Sequence, residues 1–491
     1  MGDLLKECEK DRLLASIGTC VIISIALVLP TSHSSAYGSV EHSSIVIDGN
    51  AAFTVANGVT GGSGTALDPF IIEGWLIYAD GVTGRSVDIT NTDAFFAIRN
   101  LTAYGTISLS NVSNGTITEV NILCSGKGFW IVSCEAIGIS KCEVFSYASE
   151  SVWSDQTGNL TISENRLNGV RMESCGNLTF DDNVLTEVGA GVAVVGCSDV
   201  RVANNTLRST TYSGDLDVIG CTNVTVAGNL FSNGTGGLML WWSQAVTVSE
   251  NIFESTGIYI GDYSADEWSA YEISQDNLVN GKPVHYYKAG SDLVLDNMTV
   301  GELIVGNYTD VWISNLTISA SYCGILMGFV ENASITGVNV SANHYGICMR
   351  FCNNTTIVGC AFWSNSHGIE MYECCWSSIY HNHFLYNGEH ALSYGSGAIG
   401  NMWDAGYPAG GNYWSNYTGS DNYNGPDQDI AGADGIGDAP FVGSGGVVDR
   451  YPWMAEDMTN IPEFGTMILP ILGALAVVVL GTASRRSRRT R

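Results

Sequence analysis

Asn159-Leu160-Thr161-Ile162, Asn223-Val224-Thr225-Val226 and Ala245-Val246-Thr247-Val248 repeat one phrase: a turn residue, then apolar residues alternating with threonine. Alternation of period two is the mark of a strand with one face in a core. The segments opening at Asn114, Ala136, Asn159, Asn177, Asp199, Asn223 and Ala245 lie 22, 23, 18, 22, 24 and 22 residues apart, and Asp310, Asn332, Asn354 and Trp376 open four more at intervals of 22. A fixed period with two short strands per unit predicts an all-β solenoid, a right-handed parallel β-helix with coils of about 22 residues. Each coil adds about 4.8 Å, the spacing of hydrogen-bonded strands, so like positions stack into ladders. Asn165, Asn183, Asn205, Asn229 and Asn251 follow the strands. They are expected to take left-handed turn geometry and to bond their counterparts above and below.

Working outward, 58 glycines against 9 prolines suit strands joined by tight turns. Residues 114–263 and 310–395 read as β-helix coils, 264–309 as an insertion or distorted coils, 37–113 as an N-terminal cap and 396–458 as a Gly/Asp-rich C-terminal cap. The apolar run Leu13 to Leu29 follows Lys6, Lys10 and Arg12 and precedes Ser34-Ser35-Ala36, so residues 1–36 read as a signal peptide or N-terminal anchor. Thr466 to Ala483 is apolar and is followed by five arginines between Arg485 and Arg491, the pattern of a transmembrane helix with a cytoplasmic tail. These features predict a chain exported to the outer face of the cell membrane and anchored at its C-terminus. Between residues 37 and 464, Lys and Arg number 12 and Asp and Glu 45, a balance of −33. Such a surface excludes nucleic acid as a partner and repels anionic polymers.

Three stretches carry a family resemblance. They are Gly61-Gly62-Ser63-Gly64-Thr65-Ala66-Leu67-Asp68-Pro69-Phe70-Ile71-Ile72-Glu73-Gly74-Trp75, Asn280-Gly281-Lys282-Pro283-Val284, and Gly411-Asn412-Tyr413-Trp414-Ser415-Asn416-Tyr417 running on to Asp434-Gly435-Ile436-Gly437-Asp438. With the repeat, they make the chain resemble the NosD-type β-helix proteins, which are grouped with carbohydrate-binding and sugar-hydrolase solenoids. Pro462-Glu463-Phe464, the apolar span and the arginine cluster of residues 459–491 resemble a PEF-type archaeal sorting signal, a plain membrane anchor being the alternative. The namesake's role in copper-site assembly raises copper. Met327, Met349 and Met371 are spaced by 22, with His367, His381, His383 and His390 nearby, but each methionine follows an inward Ile by two residues and reads as core filler, against copper.

The candidate sites follow from the ladders. In register, Trp130, Trp153, Met239 and Tyr259 fall at equivalent outward positions, with Trp241 on the same face, so Trp130, Trp153, Trp241 and Tyr259 are the candidate glycan-binding residues. For catalysis, a glycosidase needs two carboxyl groups on one face. Asp181 and Asp182 are the candidates, although neither His nor an Arg-x-Lys element accompanies them, and a solvated polar turn is the better account of them. Asp427, Asp429, Asp434 and Asp438, interleaved with glycines, are the candidate calcium ligands, with a bare Asp-Gly turn as the alternative. Cys134, Cys175, Cys197 and Cys221 share one repeat position, as do Cys352 and Cys375, and are expected to form a thiol ladder. The functional expectation is a non-catalytic surface rod binding glycan or surface-layer components; the alternatives are a polysaccharide hydrolase or lyase and a copper-handling accessory protein.

Overall fold

The computed structural model describes residues 40–147, 150–185, 191–208, 214–232 and 236–454. The apolar runs at 13–29 and 466–483 and the Pro462-Glu463-Phe464 motif lie outside them. Among the described residues no helix is long and apolar enough to cross a membrane. The chain winds as an all-β parallel solenoid of about 14 turns.

The openers found in the sequence mark one corner of each coil. Asn114, Ala136, Asn159, Asn177, Asp199, Asn223, Ala245, Asp310, Asn332, Asn354 and Trp376 all have φ between 49 and 60°. Asn and Asp tolerate this left-handed geometry through local hydrogen bonding, which is why they recur there. Behind that corner the alternation holds: Leu160, Leu178, Val200, Val224 and Val246 stack in register and are buried.

The asparagine ladder is present, but its members do not carry the left-handed turn. That conformation belongs to the preceding residues, Glu164, Asp182, Asn204, Gly228 and Glu250. Freed from it, each buried Asn bridges coils: Asn205 Nδ2 donates to Phe180 O (2.8 Å) and to Asn229 Oδ1 (2.9 Å), while its Oδ1 accepts from Asn183 N (2.8 Å) and Asn183 Nδ2 (3.1 Å). The series runs unbroken from Asn165 to Asn277. The thiol ladder also exists, with Cys175 N donating to Cys197 Sγ and Cys197 N to Cys221 Sγ. Further along, the partner of Cys352 is Cys374, one residue before the expected Cys375. These thiols are free and buried, and they act as small core residues.

Stacking starts well before residue 114. Ile45, Val87, Ile107 and Phe129 already form one inward column, so much of the stretch expected to cap the rod builds coils instead. The chain then forms two stacks with separate cores, the first reaching Val279 and the second running from Leu295 to Val447. The outward face of the second covers the last coil of the first: Ile304, Leu326 and Cys348 join the first core. The short helix Ala265–Trp268 lays the Trp268 indole against Gly306 and Gly328, where any Cβ would overlap its ring. The second stack ends on aromatic rungs, Phe384 on Trp414 (4.3 Å) and Trp414 on Phe441 (4.1 Å). Asn412 extends the asparagine ladder there, and buried Asp449 closes it by accepting from Asn412 N and Trp414 Nε1.

Replacing Asn205 by alanine strands the backbone N–H of Asn183 in the core and takes the side-chain donor from the carbonyl of Phe180. At roughly 1–3 kcal/mol per unsatisfied group, the expected loss is about 3 kcal/mol, read as a lowered urea midpoint with the same β-sheet circular dichroism at zero urea.

Candidate functional site: the Trp130 face and the seam between stacks

The outward column of the first stack runs Asp88, Ser108, Trp130, Trp153, Arg171, Ala193, Asp217, Met239, Tyr259. Two of the four expected aromatics are brought together. Trp130 and Trp153 are partners in adjacent coils, edge to face with centroids 6.2 Å apart, and Trp130 is 36% exposed. The indoles are flanked by cations that the sequence reading did not single out. Arg85 lies over Trp130 at 4.8 Å, and the Lys127 ammonium stands 3.7 Å from the Trp153 ring and 5.9 Å from Trp130. Thr106 Oγ1 donates to Lys127 O (2.7 Å), fixing the Gly126-Lys127-Gly128 turn that delivers the lysine. Thr83, Arg85, Thr106, Lys127 and Trp130 line an open pocket of about 490 Å³. Partial burial lowers the Lys127 pKa, opposed by the charges of Glu150 and Glu173. Arg85 is held by Asp88 (2.8 Å) and Arg171 by Glu173 (2.5 Å). The available signal was scarcity: with so few cations on the chain, two close to Trp130 were worth noticing.

The other two aromatics lie elsewhere. Tyr259 occupies the outward position assigned to it, but it is only 7% exposed because the second stack covers it. Its hydroxyl accepts from Arg350 Nη1 (2.9 Å), and its ring packs against Tyr322 and Tyr345. Trp241 packs on Tyr259 and faces Gly261, whose missing side chain leaves room for the indole. Both belong to the seam between stacks, and their role as exposed sugar platforms is replaced by a packing role.

Asp181 and Asp182 take different places in the fold. Asp181 is tied to the next coil, accepting from Arg201 Nε (2.8 Å) and Ala203 N (3.0 Å), while Asp182 is an exposed left-handed corner residue. Asp182 lines a pocket of about 360 Å³ in which Lys141 pairs with Glu164 and Arg166 with Glu143. The four C-terminal aspartates do not converge as calcium ligands either. Asp438 accepts from Tyr423 N, Asn422 N and Ser420 Oγ, and Asp434 from Ile436 N, whereas Asp427 and Asp429 are exposed. These carboxylates brace the loop. Among the described residues no three His, Cys, Asp or Glu side chains group to hold a metal ion.

Two family models match this chain. One, described as right handed beta helix region, covers residues 73–207 and 168–290; the other, described as periplasmic copper-binding protein (NosD), covers residues 270–419. The chain is a NosD-type right-handed β-helix protein. No curated protein sequence matches it. Among solved structures it aligns with PfbA, a surface adhesin of Streptococcus pneumoniae (10% identity, 64% of this chain and 86% of that one, TM-score 0.30). It also aligns with a tailspike protein of E. coli bacteriophage HK620 in complex with a pentasaccharide (10%, 68% and 70%, 0.31) and with the A-module of a mannuronan C-5 epimerase from Azotobacter vinelandii (13%, 74% and 90%, 0.22).

The residues of this NosD-type chain do not fit the copper in the family's description. Met327, Met349 and Met371 are fully buried within the second core. His381 is stacked on Trp453 with Nε2 bonded to Ala409 O, and His390 bonds Asn387. These donors are spent on packing and turn bonding, and His367, whose buried Nδ1 takes no hydrogen bond among the described residues, is grouped with no set of three metal-binding side chains.

At the seam of the NosD-type fold, Glu302 stands in for a missing coil. Each earlier rung donates to a backbone carbonyl of the next, as Leu238 N does to Gly257 O (3.0 Å), but Ile258 N donates to Glu302 Oε2 (2.8 Å), and Cys323 N to Oε1 (3.2 Å). Burial pushes this carboxyl up to about 8, even though both bonds favour its ionised form. Between its ordinary value and 8, the folded chain keeps a proton that the unfolded chain has lost, so stability falls as pH rises through that window. His285, His344 and His390 are pushed down by burial and affect stability below their ordinary value of 6.5; Asp449, raised to about 6, acts below that value. The melting temperature is therefore expected to fall more, or rise less, between pH 7 and pH 8 than that of Glu302→Gln, which cannot ionise at this position. Differential scanning fluorimetry on both proteins checks it.

Proposed function

We propose that this protein is a non-catalytic cell-surface β-helix that binds glycan through the Trp130 face. The observation carrying the reading is the pairing of two in-register indoles, one more than a third exposed, beside a polar-lined pocket on a rigid sheet. An indole offers a flat apolar face for a sugar ring while flanking polar groups orient the hydroxyls. A rigid scaffold loses little entropy on binding. Asp181 is occupied by Arg201 Nε and Ala203 N, an arrangement that favours binding over cleavage there. The apolar runs near both ends of the sequence, and the word periplasmic in the family description, support export and anchoring at the outer face of the membrane. Surface-layer or other envelope glycans would then be the partners at hand.

A glycan array read alongside a reducing-sugar and unsaturated-product assay tests this. The expected result is binding without product, weakened about tenfold by Trp130→Ala or Trp153→Ala, equivalent to about 1.4 kcal/mol. Tyr259→Phe is expected to leave it unchanged. Product release abolished by Asp181→Asn would replace this reading with a hydrolase or lyase.

A further inference from the structure

The charge balance of the molecule makes the Trp130 face an exception. Buried Arg350 bonds Tyr259 and lies over Tyr263 and Tyr372, but most other cations sit on carboxylates: Lys141 on Glu164, Lys288 on Glu272, Arg99 on Glu73, Arg201 on Asp181, Arg450 on Asp404 and, within this face, Arg85 on Asp88. Lys127 does not. Among the described residues it makes no ion pair, and its ammonium lies between two indoles instead. Arg85 approaches the same pocket from two coils away, so two of the five lining side chains are cationic, on a chain where acidic residues outnumber basic ones by 49 to 20.

We propose that this pocket selects acidic glycans, polymers whose sugars carry carboxylate or sulfate groups. The inference rests on the glycan-binding reading above and adds the ligand's charge to it. A sugar lying against Trp130 would place an anionic substituent between Lys127 and Arg85, both of which can only donate hydrogen bonds. Arg85, braced by Asp88, presents its remaining guanidinium N–H groups in a fixed fork suited to a carboxylate or sulfate. Lys127 can swing from the indole to the ligand, exchanging a cation–π contact for a charge-assisted hydrogen bond. The overall acidity of the rod opposes the approach of such a polymer, but the field of exposed charges is screened beyond about 8 Å at physiological salt. At contact distance the local pair of cations decides. The acidic remainder of the surface then confines an anionic chain to this face.

The test uses matched ligands with the full-length protein in detergent: oligogalacturonide against its fully methyl-esterified form, and dextran sulfate against dextran, titrated by calorimetry or interferometry at 50 and 500 mM NaCl. The expected result is at least tenfold tighter binding of one or both acidic members, weakening with salt. Lys127→Gln and Arg85→Gln should each remove most of that preference, with melting temperatures confirming that the variants fold. Preference for the carboxylated or the sulfated ligand identifies which anion is read. If the neutral partners bind as tightly and neither variant matters, charge selection is overturned while glycan binding stands. If no ligand binds here and the array is also blank, both readings fall.

Discussion

Each coil of this solenoid is held by the coil beneath it through parallel backbone hydrogen bonds, and that lateral pairing is the constraint from which the rest follows. A slip of one residue would turn every inward side chain outward. Register therefore needs markers inside the core, where a polar group has one satisfactory position and large costs elsewhere. The asparagine ladder supplies them: each amide reaches backbone of the coil before it and the side chain of the coil after it. The thiols and stacked phenylalanines beside it are interchangeable fillers by comparison. This division allows coil lengths to vary, from 18 to 24 residues between openers, while the ladder remains unbroken.

A solenoid built this way has two raw edges, and its ends must satisfy the N–H and C=O groups that no further coil will meet. The first stack is closed by Glu302 and the aromatic seam, the second by Trp414, Phe441 and Asp449. In both places a carboxylate accepts hydrogen bonds at the end of a ladder, and in both burial raises its pKa. Placing the second stack across the end of the first turns a liability into an interface. It also explains why Tyr259 and Trp241, outward by register, are not solvent platforms.

These particulars set the limits of what the sequence discloses. The period, the alternation and the in-register pairing of Trp130 with Trp153 are local properties written into residue order. That Cys374 rather than Cys375 continues the thiol ladder is a one-residue matter that spacing alone leaves ambiguous. The covering of Tyr259 depends on contacts with residues such as Arg350, 91 positions away, and no periodic signal encodes that. Glu302 was invisible for the same reason: a lone glutamate before an apolar strand reads as surface, and only the fold places it where Ile258 and Cys323 need an acceptor. Lys127 and Arg85 were legible as rare cations, but their convergence on one indole pair required the coil geometry.

The same geometry bears on why the candidate site lies on the earlier coils. The outward column of the first stack is covered at its Tyr259 end, so residues there trade exposure for packing. Toward Trp130 the column is free of the seam, and its neighbours change from Met239 and Tyr259 to arginine, lysine and exposed indole. Among the described residues the Lys127 ammonium is held against aromatic faces with no ion pair, trading part of its hydration for a cation–π contact. On a surface so rich in Asp and Glu, an unpaired lysine is harder to account for by composition than a paired one. The proposed binding role gives that placement a physical reason, because Lys127 takes no part in the closures made by Glu302 and Asp449.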